Sequence, residues 1–91
     1  MSRRPAYSSH FKRDVRLAES RGKQLQKLWN LSALILEGTE LPAAYKDHPL
    51  KGEWRGFRDA HVEPDWILIY RVEGDVVYFE RTGRHSDLFD E

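Results

Sequence analysis

Apolar residues recur along this chain with two different periods. Phe11, Val15 and Ala18 follow the i, i+4, i+7 spacing of one helical face, with Lys12, Arg13 and Arg16 turned outward. Ser8 or Ser9 is placed to cap that helix, because a serine hydroxyl accepts from the free amides of a first turn. Gly22 breaks the pattern. It resumes over about Lys23–Glu37, where Leu25, Leu28, Leu31 and Ile35 line one side and Trp29, Leu34 and Leu36 widen it. Gly38 supplies the C-terminal stop. So short a link between two helices allows only an antiparallel hairpin.

Further on the period changes. Trp54 to Val62, Trp66 to Glu73 and Val76 to Arg81 read as strands joined by short turns, hence an antiparallel meander. Trp66-Ile-Leu-Ile-Tyr70 is apolar or aromatic throughout, the pattern of a strand covered on both faces. Tyr70, Tyr78 and Phe79 are assigned to the core. Arg3 to Tyr7 reads as a short edge strand, where Pro5 is tolerated. Residues 39–52 show neither period, and a loop of fourteen residues in a small domain tends to carry function. The stretch from Thr82 to Phe89 reads as an irregular tail folded back on the sheet. The order is β-α-α-β-β-β: a single α+β domain over residues 1–91, an antiparallel sheet with a two-helix hairpin packed on one face.

Composition narrows the classes. Ninety-one residues, 40% of them hydrophobic, supply one core. No run approaches the ~18 apolar residues of a membrane span, and Met-Ser-Arg-Arg-Pro lacks an apolar signal core. The absence of cysteine excludes disulfides and thiolate metal sites and fits a cytoplasmic protein. The formal net charge of zero hides an asymmetry. Residues 1–30 carry eight Lys/Arg against Asp14 and Glu19, and residues 31–91 carry seven against thirteen Asp/Glu. Such a basic half either follows a phosphate backbone or is the solvated face of two helices.

The candidate chemistry lies in His48, His61, Asp65 and His85, which sit in the long loop, at a strand end, in the following turn and in the tail. Pro64 stiffens that turn, since it cannot donate to a ladder and holds Glu63 extended. His10, beside the first cap, reads as solvated. If the four converge, two chemistries compete. Three histidines and a carboxylate suit zinc or iron, but no pair has the close helical spacing of a HExxH motif. Metal-free acid–base catalysis, without a cofactor, is the other. Imidazole titrates near pH ~6.5 and both accepts and donates protons at neutral pH. RNA suits such a site, because its 2′-hydroxyl is a nucleophile already beside the scissile phosphate.

Three runs carry a resemblance: Leu41-Pro-Ala-Ala-Tyr-Lys-Asp-His-Pro-Leu50, Gly56-Phe-Arg-Asp-Ala-His-Val-Glu-Pro-Asp-Trp-Ile-Leu-Ile-Tyr70 and Arg81-Thr-Gly-Arg-His-Ser-Asp-Leu-Phe89. Together they resemble the YafQ branch of the RelE/ParE toxin superfamily, over nearly the whole chain. The resemblance implies a bacterial toxin of a type II toxin–antitoxin pair that enters the ribosomal A site and cuts mRNA. The products it implies are a 2′,3′-cyclic phosphate and a 5′-hydroxyl. The implied partners are a cognate antitoxin, the ribosome with mRNA in its A site, and ribosomal RNA. The family's active-site positions fall on His48, His61, Asp65 and His85, with supporting roles for Trp66, Arg81 and Phe89.

On this sequence His85 is the expected general acid, and Asp65, His48 or His61 the base. Arg81 is expected to hold the scissile phosphate. Phe89 stacks on a base or anchors the tail, and Trp66, opening a buried strand, serves packing first. Two features depart from the family pattern. The chain is neutral, so Lys12, Arg13, Arg16, Lys23 and Lys27 are the expected ribosome contacts. Arg84 adds a cation in the tail that either aids phosphate binding or alters the protonation of His85. The rival readings are a non-enzymatic ParE-like toxin that binds DNA gyrase and a small metal-dependent enzyme.

Overall fold

Ser8 ties the two ends of the fold together through one hydroxyl. Its Oγ accepts from the Phe11 amide at 2.9 Å, capping the first helix, and donates to the Glu80 carbonyl at 2.7 Å. The computed structural model describes residues 2–89; residues 1, 90 and 91 of the expected domain lie outside them. The elements are β1 Arg4–Tyr7, α1 Ser9–Ser20, α2 Leu25–Glu37, β2 His48–Pro49, β3 Arg58–Glu63, β4 Trp66–Glu73, β5 Val76–Gly83 and α3 His85–Phe89. Gly38 ends α2 at φ 77°, in the left-handed region, as the sequence pattern requires. Among the described residues no helix is long and apolar enough to cross a membrane.

Both faces of β4 are covered. Trp66, Leu68 and Tyr70 pack with Phe11, Ala18, Leu28, Leu31, Ile35, Val77 and Phe79 beneath the helices. Ile67 and Ile69 pack on the other side with Leu88, and Leu50, Trp54, Phe57 and Phe89 cover them. Alternation along β3 follows from pairing with β4. Ala60 lies opposite Leu68 and faces the helices, whereas Asp59 and His61 lie opposite Ile69 and Ile67 and face away from them.

The structure corrects the expected architecture in five places. The sheet is mixed rather than antiparallel: its order is β1-β5-β4-β3-β2, and β1 runs parallel to β5 from Arg4↔Val76 to Tyr7↔Phe79. Turn lengths fix the sense of successive strands, but the helix hairpin separates β1 from any neighbour in sequence, so no local signal sets its partner. The long loop holds a two-residue strand, β2, paired to Asp59 and Arg58 and too short to show a period. The third strand starts at Arg58, because Gly52–Trp54 is a 3₁₀ turn and Gly56 has φ 95°. The tail is helical, as α3. Tyr78 is half-buried outside the core, its ring 4.2 Å under the Arg71 guanidinium.

A bulge near the end of β5 matters for the site. Ile69 lies opposite Arg81 but Tyr70 lies opposite Phe79, so Glu80 has no partner. Simple alternation from Phe79 would put Thr82 on the far face; the extra residue returns it to the helix side. There Thr82 Oγ1 accepts from Trp66 Nε1 at 2.9 Å and donates to the Ile67 carbonyl at 2.8 Å.

Candidate active site

Four separate elements bring polar side chains to one end of the outer sheet face. His61 comes from β3, Asp65 from the β3–β4 turn, His85 from the start of α3 and His48 from β2. His85 Nδ1 lies 3.3 Å from Asp65 Oδ1, and the His85 amide is 3.4 Å from the same oxygen. The His61 and His85 rings meet edge to face, with centroids 5.5 Å apart. Phe89 sits one helical turn beyond His85, 5.9 Å away between centroids, and stands edge-on to Trp54. The Asp65 and His85 side chains are 67% and 40% exposed, so the cluster opens to solvent.

His48 joins from the other side through Asp59. Its Nδ1 is 3.0 Å from Asp59 Oδ1 and 2.9 Å from the Lys46 carbonyl. Asp47 holds this segment down: its carboxylate accepts from the Tyr70 hydroxyl at 2.6 Å and from Nε and Nη2 of Arg58. Burial beside Asp47 pushes the Tyr70 phenol well above its ordinary range, so it stays a donor. Asp59 is buried, and burial raises its carboxyl above the usual carboxylate range; His48, His61 and His85 all act against that rise. His48 is the imidazole in direct contact with it, and His61 and His85 act on it through space.

Asp59 is the site residue that motif reasoning overlooks. One signal does point to it: it is two residues before His61 and so shares its face, and aspartate is uncommon inside strands.

The cations are disposed differently from the sequence expectation. Arg81 is not free for phosphate: its Nε donates to Asp14 at 2.6 Å and its Nη2 at 3.2 Å, and Asp14 also accepts from the Thr82 amide. Arg84 is half exposed, its side chain making among the described residues only a 3.6 Å contact to Asp87, and is the more available cation beside His85. Trp66 is 1% exposed, which corrects any direct RNA contact; it acts by packing and through Thr82. Lys23 and Lys27 both donate to Glu63, at 2.9 and 2.8 Å, while Lys12, Arg13 and Arg16 are exposed on α1. A cleft of about 590 Å³ between α1 and the end of β5 is lined by Lys23, Asp65, Arg81 and Arg84. It meets the histidine cluster at Asp65.

The profile of the bacterial toxin of type II toxin–antitoxin systems, YafQ, matches residues 3–90. The chain belongs to the YafQ toxin family. It is similar to the mRNA interferase toxin YafQ of Escherichia coli K12, at 55% identity over 91% of each chain. In structure it is similar to YafQ in the E. coli DinJ–YafQ toxin–antitoxin complex, at 51% identity and TM-score 0.90, covering 98% of this chain and 99% of that one. A metal-bound toxin from Helicobacter pylori is also similar, at 31% identity and TM-score 0.89, covering 96% and 99%. The small α+β architecture with a mixed five-stranded sheet is therefore that of the YafQ family.

Proposed function

We propose that this YafQ-family chain is a cytoplasmic endoribonuclease that cuts mRNA in the ribosomal A site by metal-free acid–base catalysis and is neutralised by a cognate antitoxin. The observation that carries the reading is the solvent-open contact of His85 with Asp65 and His61, with Phe89 on the rim. The name of its E. coli relative, mRNA interferase, and the toxin–antitoxin complex that contains the other support the reaction class and the partner.

The chemistry is balanced by these groups. Asp65, His48 or His61 removes the 2′-hydroxyl proton, and O2′ attacks the adjacent phosphorus. The bond from phosphorus to O5′ breaks as His85 donates its proton to O5′, leaving a 2′,3′-cyclic phosphate and a 5′-hydroxyl. Arg84 supplies charge to the crowded anionic phosphate, and Arg81 shapes the strand beneath it. Phe89 offers a face for an unpaired base. Lys12, Arg13 and Arg16 face the ribosomal RNA.

The test uses the purified chain with ribosomes carrying a defined mRNA, followed by mapping of the RNA ends. Cuts inside the A-site codon, absent without ribosomes and unchanged by EDTA, are expected. Loss of cleavage on EDTA treatment favours the metal-dependent reading, which the metal-bound H. pylori relative makes worth the control. Intact mRNA together with inhibited gyrase supports the ParE-like alternative.

A further inference from the structure

Asp59 is the most deeply buried polar group at the site, its side chain 4% exposed. Among the described residues its Oδ1 has no hydrogen-bond partner, although His48 Nδ1 stands 3.0 Å away. The same nitrogen stands 2.9 Å from the Lys46 carbonyl, and one N–H aligns with only one acceptor at a time. Lys46 is held in the left-handed region at φ 50°, which directs its carbonyl at the ring. A nitrogen lone pair facing two oxygens would be repelled by both. Nδ1 therefore keeps its hydrogen whether the ring is neutral or charged, and only Nε2, remote from both oxygens, gains or loses a proton.

We propose that Asp59 is a positioning residue that holds His48 as the Nδ1–H tautomer and so presents Nε2 as the base toward the 2′-hydroxyl. This rests on the acid–base reading above. When Nε2 takes the 2′-hydroxyl proton, the imidazolium stands beside a carboxylate shielded from water. That attraction appears only as the charge develops, so it lowers the barrier rather than tightening binding. No proton passes to Asp59. Burial and the neighbouring Asp47 oppose its charge, while His48 on β2, His61 on β3 and His85 on α3 favour it. The pocket thus keeps a costly anion in place because cations gather over it.

The test has two arms. Nitrogen-15 shifts of the His48 ring in the parent protein report the tautomer directly and need no variant; Nδ1–H is expected, and Nε2–H at neutral pH overturns the proposal. Asp59→Asn keeps the shape and removes the charge. It is expected to slow single-turnover cleavage of ribosome-bound mRNA by about 10–100-fold, with the ribosome concentration for half-saturation unchanged. A variant that matches the parent in rate overturns the assignment. A parent that never cuts ribosome-bound mRNA, yet shows Nδ1–H on His48, overturns the functional reading and leaves the contact standing.

Discussion

Replacing His85 by alanine removes the imidazole that touches Asp65, His61 and Phe89 at once. Cleavage should fall by about 10²–10⁴-fold, the range for a lost general acid. Its side chain is 40% exposed, so the melting temperature should stay near the parent value. A protein that unfolds instead identifies His85 as a structural residue. Trp66→Phe should do the reverse, losing about 1–2 kcal/mol in a urea titration through the missing bond to Thr82, with activity following stability. His48, His61, Asp65 and His85 stood out in the sequence as histidines and a carboxylate in the loop, strand end, turn and tail, within runs that resemble the family's, and the fold brings His61, Asp65 and His85 together. The partner of Arg81 was not legible, since Asp14 lies 67 residues away and nothing local joins them. Asp59 is hidden by its neighbours: a lone acid inside a strand carries no motif.

Two clips hold the helices to the sheet. The first joins α1 to β5, where Asp14 accepts from Arg81 and from the Thr82 amide. Asp14→Ala leaves both donors without their carboxylate in a part-buried setting and should cost about 2–3 kcal/mol by urea denaturation. The second joins α2 and the link before it to the end of β3. Hydrogen bonds from Lys27 and then Lys23 hold the Glu63 carboxyl below its ordinary value of 4.5. A depressed folded value means that this stabilisation is complete above pH 4.5 and is lost as pH falls through the folded value. Glu63→Gln should therefore flatten part of the acid limb of a stability-against-pH curve and change little at pH 7 beyond the pair itself. Asp87, lowered by its bond from Arg21, keeps the remainder. An acid limb identical to the parent's would sink this account. The helices were readable because 3.6-residue periods run over three turns, and the meander because its turns are short. β2 and α3 were not, since two or five residues hold no period; β1 was readable as a short edge strand, but its parallel pairing with β5 has no local mark.

Across the molecule, the cations of the basic half divide, among the described residues, into committed and free. Glu63 takes Lys23 and Lys27, Asp87 takes Arg21, and the exposed remainder on α1 is Lys12, Arg13 and Arg16. Replacing those three by alanine should weaken ribosome binding and reduce the slope of log affinity against log salt by about one unit per lost contact. Lys27→Ala should barely move that slope. Equal slopes for the parent and the triple variant would show that another face meets the ribosomal RNA.

The pairing of β1 with β5 has a consequence for how the molecule is made. Ser8 reaches Glu80 across 72 positions of chain, and His85 follows later still. A nascent polypeptide thus waits with its first strand unzipped until the last has emerged from the exit tunnel.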